Sequence, residues 1–454
     1  MERQSECMIR EVSQFLDGHC RDIERFLKRL IGFRSTNTGL DNQGREHRVQ
    51  NWLKIQFQNA GFDGVDLWSV DPKRNRPNLV GTIKGTGTRK ALILQAHCDV
   101  VPVHREDKRL WKHAPWKAST ENGLVYGRGA SDDKGGLTAI FWAAKALRES
   151  GITLSGDLYV QSVIGEESME GRTIGAAATV ARGYWAPFAV IAEPTGCEIQ
   201  TQSFGVFVFE LVIQGKPVHA CARDYVLFPD RYRLRSSNGI GVDAILKGAQ
   251  LVQVLRQLED EWNASWKDET LGLGGFPLSK DEEKVRIFTM NPSFIEGGTY
   301  MGTVPGICRV TYVVSHPNAV PAKQVKKGIQ RAIKQRIQDD EWLQRNPPRI
   351  IAHQSDEWRA SRVSVNHPRV QTLARSFQQI TGAAPIYSGF RGASDATFMS
   401  QKGIPSVLFG PGSHMMGIHG VDECVPIDQV ITCAKVYAAM AINWCGLREP
   451  GQSV

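Results

Sequence analysis

The sequence predicts an α/β fold: a sheet-based domain in two parts, residues 1–204 and 356–454, interrupted by an inserted α+β domain over 205–355. Three observations carry that expectation. At 454 residues with 41% hydrophobic and 22% charged side chains, the chain is globular and too long for one ordinary core, so two domains are expected. Before residue 205, short apolar runs that end in acidic or imidazole side chains alternate with a helix-spaced segment, the order strand, loop, helix of an open sheet. The middle of the chain also reads as strands and helices, but without such chemistry at the run ends.

Taken in order, residues 91–95 are a short apolar run leading to His97 and read as a strand. Leu137, Ile140, Phe141, Ala144 and Leu147 follow the i, i+3, i+4, i+7 spacing of a helix face. Residues 157–163 and 188–192 read as two more short buried strands. Within the insertion, 204–214, 285–290, 308–314 and 349–352 read as strands. Helices are expected over 241–262 and 321–342, the second with Val325, Ile329, Ile333 and Ile337 repeating every four residues. The Arg- and Tyr-rich stretch 224–238 reads as an irregular loop.

The net charge of +8 arises from basic residues interleaved with acids. No Arg-rich arm or RNA-binding aromatic signature accompanies it, so no nucleic-acid partner is expected and the charge suits small anionic substrates. Charges at Glu2, Arg3, Glu6 and Arg10 argue against a secretory signal, and no segment reaches about 18 uninterrupted apolar residues, so no membrane association is expected. Nine scattered cysteines without CxxC spacing fit reduced thiols in a cytoplasmic protein.

Five motifs carry the chemistry: Ala96-His97-Cys98-Asp99, the Gly-rich stretch 127–136 with Asp132 and Asp133, Gly165-Glu166-Glu167, Ala192-Glu193-Pro194-Thr195, and His419-Gly420-Val421-Asp422-Glu423. In an extended chain Asp99 lies on the same side as His97 and can accept the proton of its second ring nitrogen. Cys98 points the other way and reads as a core residue. Gly127 and Gly129 permit a tight turn that fixes one of the two Asp carboxylates, while helix capping is the alternative role for either. Adjacent Glu166 and Glu167 diverge, which allows one to ligate a metal and the other to face a water. Two imidazoles with several carboxylates suit two divalent ions, and zinc accepts such mixed nitrogen and oxygen ligands.

In order and wording these motifs resemble the di-zinc aminoacylase and carboxypeptidase family of metallopeptidases, which includes acetylornithine deacetylase, succinyl-diaminopimelate desuccinylase, aminoacylase and glutamate carboxypeptidase. The resemblance implies a phosphorylase/hydrolase-like catalytic domain with an inserted ferredoxin-like lid and dimerisation domain. It implies that His97 and Glu193 hold one metal, that Glu167 and His419 hold the other, and that Asp132 bridges them. Glu166 is then the general acid/base and Asp99 orients His97. The implied cofactors are two divalent ions per chain, Zn2+ first, with Co2+ or Mn2+ as alternatives. The segment from Gly215 through His219 to Ala220 resembles a lid motif whose His reaches the partner subunit's active site, which implies a homodimer. Residues 388–397 resemble a substrate loop, with Arg391 as a carboxylate clamp beside Ser394 and Asp395.

Three positions depart from the family's usual pattern: Gly165 where Asp is common, Phe204-Gly205 where Arg-Gly is common, and Gly302 where an Asn precedes the lid proline, here Pro305. All three bear on substrate or lid and none on the ligand set. His414 lacks the spacing to Asp422-Glu423 that His419 has. The implied reaction is hydrolysis of an amide C–N bond in an N-acyl amino acid or small peptide bearing a carboxylate, by a hydroxide held between the metals with Glu166 as base. A dipeptidase or carboxypeptidase is the alternative on the same site. Two rivals of other classes are a non-catalytic dimeric binding protein, disfavoured by the complete ligand set with Glu166, and a thiol hydrolase using Cys98 and His97, disfavoured because adjacent strand residues diverge.

Overall fold

A computed structural model of the chain describes residues 2–36, 45–87, 90–228, 240–266 and 287–448. Its larger sheet has nine strands. In spatial order they are Gly64–Ser69, Pro77–Ile83, Leu158–Val163, Leu92–His97, Ala189–Ile191, Ser406–Leu408, Ile199–Ser203 and Ser361–Arg362, with Tyr387–Phe390 also paired to Ile199–Ser203. The central four run parallel, from Leu158–Val163 to Ser406–Leu408. Side chains alternate across this sheet. Leu92, Leu94 and Ala96 join one apolar core and Ile93 joins another, so the central strand is covered on both faces. The first core is closed by the helices Gly136–Glu149 and Ile427–Cys445, through Leu137, Ile140 and Phe141 and through Val430, Tyr437 and Ala441.

The inserted segment forms a separate antiparallel sheet in the order Thr289–Gly297, Ile307–His316, Gly205–Gln214, Arg349–Trp358. Phe207, Phe209, Leu211 and Ile213 alternate onto one face and pack with Leu251 and Leu255 of the helix Ala244–Ser265 and with Val325, Ile329 and Ile333 of the helix Ala322–Ile337. The opposite face carries Val206, Val313 and Ser315, which turn toward the larger sheet.

Several element boundaries differ from expectation for visible reasons. The Asp243 carboxylate accepts the N–H groups of Ile245 at 2.9 Å and Leu246 at 3.1 Å, and so sets the start of the helix expected over 241–262. The helix expected over 321–342 is two helices, because Asp340 caps a new one, Glu341–Arg345, accepting the Leu343 N–H at 3.1 Å. The strand expected over 285–290 has its first two residues outside the described residues, begins at Thr289 and runs to Gly297. It tolerates Pro292 because it is the edge strand. The last strand extends through Trp358, past the expected boundary at 355. The stretch 224–238 begins within a short helix, Arg223–Leu227, and 229–238 lies outside the described residues. Among the described residues, no helix is long and apolar enough to cross a membrane.

A small three-stranded sheet matters most for the site. Leu124–Tyr126 leads into the Gly-rich stretch, Cys424–Pro426 follows His419 and Glu423, and the two pair with Cys424 opposite Tyr126. Two motifs nearly 300 residues apart in sequence are thereby held side by side.

Candidate metal centre

His97 is the last residue of a central strand, and its Nε2 lies 2.9 Å from Asp132 Oδ1. On the other side of Asp132, His419 Nε2 lies 2.9 Å from Glu167 Oε2 and 3.4 Å from Asp132 Oδ2. The two oxygens of one buried carboxylate therefore face two different imidazoles. Possible ligand atoms of His97, Asp132 and Glu193 lie within 4.8 Å of one another, and so do those of Asp132, Glu167 and His419. Glu167 Oε1 and Glu193 Oε1 are buried without a hydrogen-bond partner among the described residues. Buried orphan oxygens of this kind, beside two imidazoles and a shared carboxylate, fit a pair of divalent cations.

The electrostatics point the same way. Burial pushes Glu166 and Glu193 well above the usual carboxylate range, and the charge of Glu193 adds to the effect on Glu166. Glu167 is raised mainly by burial too, with His419 opposing. Burial works equally against Asp132, yet hydrogen bonds from both imidazoles hold it well below that range. The neighbouring Glu167 charge pushes His419 up to about 11. Four carboxylates crowded out of water call for cationic compensation.

Asp99 requires a correction. Its main-chain carbonyl, not its carboxylate, is the hydrogen-bond partner of His97 Nδ1, at 2.9 Å, with Asp99 Oδ1 at 3.7 Å. Asp99 Oδ2 instead accepts the Glu167 N–H at 3.1 Å, tying the first motif to the third. Neither Asp132 nor Asp133 caps the following helix. Asp132 serves the imidazoles, and both Asp133 oxygens are buried without a hydrogen-bond partner among the described residues.

The residue whose role sequence reasoning missed is Glu423. One of its oxygens accepts Arg128 Nη1–H at 2.7 Å and the Gly129 N–H at 2.9 Å. The other accepts the N–H groups of Ser131 at 3.0 Å and Asp132 at 3.1 Å. One carboxylate thus grips the turn that presents Asp132. Arg128 continues the link by donating Nη2–H to the Gly420 carbonyl at 2.7 Å, next to His419, and lies over the Trp111 ring. Gly129 sits at φ +83°, where a Cβ would come within 2.6 Å of Val100. The motif spelled out Glu423, but its partners lie across the fold.

A cavity of about 470 Å³ opens beside these groups. Glu166 lines it together with Asp132, Glu167, Glu193 and His419, and Glu166 belongs to neither ligand group. Its far wall is Val206, Val313, Ser315 and Trp358 from the inserted sheet, with Phe390 and His414. His414 rests against Phe390 with ring centroids 4.8 Å apart, outside both ligand groups. The inserted strands were expected from the sequence, but not that one face of their sheet would wall this cavity.

The remaining expected residues lie apart. His219 is exposed, does not line the cavity, and uses Nδ1 to accept its neighbour Cys221's N–H at 3.2 Å. Arg391 is half-buried behind the lining residues Gly392 and Ala393, and burial lowers its basicity. Ser394 and Asp395 are buried where the helix Ala396–Gln401 begins, and burial pushes Asp395 up to about 7. Cys98 is fully buried in the core with its thiol pushed well up by burial, which removes the thiolate a thiol hydrolase needs.

Residues 93–443 match the family described as Peptidase family M20/M25/M40. The chain is 30% identical to the N-formyl-4-amino-5-aminomethyl-2-methylpyrimidine deformylase of Bacillus subtilis, over 96% of this chain and 97% of that protein. Its fold is similar to that of the di-peptidase Dug1p from Saccharomyces cerevisiae, with a TM-score of 0.73 and 16% identity over 96% and 98% of the two chains. It is also similar to a dinuclear metal-binding M20 peptidase from Bacillus subtilis, with a TM-score of 0.58 and 11% identity over 94% and 98%.

Proposed function

The chain belongs to the peptidase family M20/M25/M40, and from that premise we propose a metal-dependent amidohydrolase that cleaves the amide C–N bond of an N-acyl amino acid or small peptide. The observation that carries this reading is the Asp132 carboxylate, shared between the His97 and His419 sides of one cavity. His97 and Glu193 would hold one divalent ion, and Glu167 and His419 the other, with Asp132 common to both; zinc is our first assignment, cobalt or manganese the alternatives. Such ions polarise a carbonyl and make water more acidic.

The chain's own residues do the rest. Glu166 lines the cavity outside both candidate ligand groups, so it is placed to take a proton from the attacking water and return it to the leaving nitrogen. His97 keeps Nε2 directed at the site because Nδ1–H is engaged by the Asp99 carbonyl. In this reading Arg391, next in sequence to the lining residues Gly392 and Ala393, receives a substrate carboxylate, with Ser394 and Asp395 in the same loop. The partner subunit's His219 stabilises the developing oxyanion, since this chain's own copy is exposed and away from its cavity. A homodimer is supported by exposed apolar side chains on the inserted segment, Phe294, Ile295, Tyr300 and Met301. The inserted sheet, whose face walls the cavity, is the lid in this reading.

The deformylase relative supports a small acyl group, and the walls of Trp358, Phe390 and His414 suit a flat ring on the amine half. A dipeptidase is the second reading, supported by the family itself. Metal-loaded protein assayed against N-formyl, N-acetyl and N-succinyl amino acids, N-formylated aromatic amines and dipeptides should release a free amine from at least one class. A loaded, folded protein that hydrolyses none of these amides would defeat the proposal.

A further inference from the structure

Behind the site lies a pair of sulfurs that the hydrolytic chemistry does not use. Cys197 Sγ and Cys433 Sγ are 3.5 Å apart. Cys197 is half-buried, at φ +64° in the loop that follows Glu193, and its N–H is anchored to the Gly410 carbonyl at 2.9 Å. Cys433 is buried on the helix Ile427–Cys445. That helix begins just after the segment holding His419 and Glu423.

We propose that Cys197 and Cys433 are a reversible oxidation site, forming a disulfide that ties the Glu193 loop to the C-terminal helix and loosens the metal centre. A disulfide needs the sulfurs at about 2.05 Å, an approach of roughly 1.5 Å that side-chain rotation and a small loop shift can supply. The roles of the two thiols follow from exposure. Burial holds the Cys433 thiol well up, so it waits protonated, whereas half-buried Cys197 is the more exposed of the two.

The step balances with glutathione disulfide as oxidant. The Cys197 thiolate attacks one sulfur of that disulfide, and one glutathione thiolate leaves. Cys433 then loses its proton to that thiolate or to solvent and attacks Cys197 Sγ, and the second glutathione departs. Two protein thiols are oxidised to one disulfide, and one glutathione disulfide is reduced to two thiols.

One candidate ligand and the neighbour of another lie close to the new bond. Glu193 is four residues before Cys197 on the same loop. Asp133, next to Asp132, is near enough for its charge to act on the Cys433 thiol. Closing the sulfurs therefore displaces the Glu193 loop relative to the turn that carries Asp132. This second half of the inference rests on the proposed function, whereas the disulfide itself does not.

The test uses the full-length, metal-loaded protein treated with glutathione disulfide, alkylated, digested and analysed by mass. A Cys197–Cys433 cross-linked peptide is expected, absent after dithiothreitol, while Cys433→Ala should stop at a glutathione adduct on Cys197. Separate alkylation of both thiols, or a persistent adduct on wild-type Cys197, overturns the proposal. Loss of metal to a chelator should be at least fivefold faster in the oxidised wild type, and unaffected by the treatment in Cys197→Ser and Cys433→Ala. Equal rates overturn the link to the metal centre. A chain that never binds metal defeats the proposed function instead, and the cross-link is then judged by mass alone.

Discussion

Replacing Glu423 by Gln should weaken both the fold around the site and its hold on metal. In the native chain the carboxylate accepts four hydrogen bonds, from Arg128 at 2.7 Å and from the N–H groups of Gly129, Ser131 and Asp132 at 2.9, 3.0 and 3.1 Å. A glutamine keeps the shape but has one oxygen, and its NH2 must oppose two of those donors. Leaving buried donors unmet costs about 1–3 kcal/mol each. Removing the charge opposite Arg128, a guanidinium only 3% exposed, is the larger loss, since breaking a buried pair from one side costs about 3–5 kcal/mol. These effects overlap, because Arg128 keeps the Gly420 carbonyl and Trp111, so the expected total is about 3–5 kcal/mol. Metal affinity should fall about 10–100-fold, the range for groups that orient ligands. Urea unfolding of the metal-free protein and competition against a calibrated chelator measure the two effects. In a cycle with Arg128→Met, the double variant should lose less than the sum of the singles. A Glu423→Gln protein with unchanged unfolding midpoint and unchanged metal affinity would refute the reasoning.

Other outcomes follow from the same geometry. Glu166→Gln should retain its metals and lose on the order of 100-fold or more in turnover, whereas Glu167→Ala should lose metal first; the reverse pattern would exchange the two roles. Mixing inactive His219→Ala and Glu166→Ala proteins under subunit exchange should restore roughly a quarter of wild-type activity, because about half the random dimers are mixed and each has one intact site of two. No restoration would place His219 in its own chain's site. Burial holds the His316 imidazole below its ordinary range, against the opposing Pro317 carbonyl. The unfolded state therefore takes up this proton first on acidification, so the stability is full above about pH 6.5 and declines below it to the folded value. In His316→Asn the urea midpoint should fall less steeply between about pH 7 and about pH 5, and an identical slope would contradict the assignment.

Part of the candidate site was legible because a buried parallel strand reads as a short apolar run whose far end opens on the cleft. His97 ends such a strand, Glu193 lies two residues past Ala189–Ile191, and Glu167 lies four past Leu158–Val163. The inserted strands over 204–214 and 308–314 were also expected, as was the helix with Val325, Ile329 and Ile333, from its period-four spacing. What escaped depends on contacts between distant segments. Asp99 is two residues from His97 on the expected side, yet one carboxylate oxygen accepts the Glu167 N–H, the other stands 3.7 Å from the imidazole, and the carbonyl makes the hydrogen bond at 2.9 Å. Asp340 hides in an acidic, polar stretch, where a helix cap looks like ordinary solvated charge. Glu423 is plain as a letter but acts on Arg128, 295 positions away. Trp358 and Val313 became cavity wall only once the inserted sheet was set against the larger one.

The most direct test of the shared-carboxylate centre is the metal stoichiometry of purified wild-type and Asp132→Ala protein, by elemental analysis with calorimetric titration of the stripped chain. Two divalent ions per wild-type chain are expected, and loss of both or strongly weakened binding of both in Asp132→Ala, because Asp132 reaches His97 through one oxygen and His419 through the other. A wild-type chain that binds no divalent ion, or an Asp132→Ala chain that still binds two with unchanged affinity, would contradict the account.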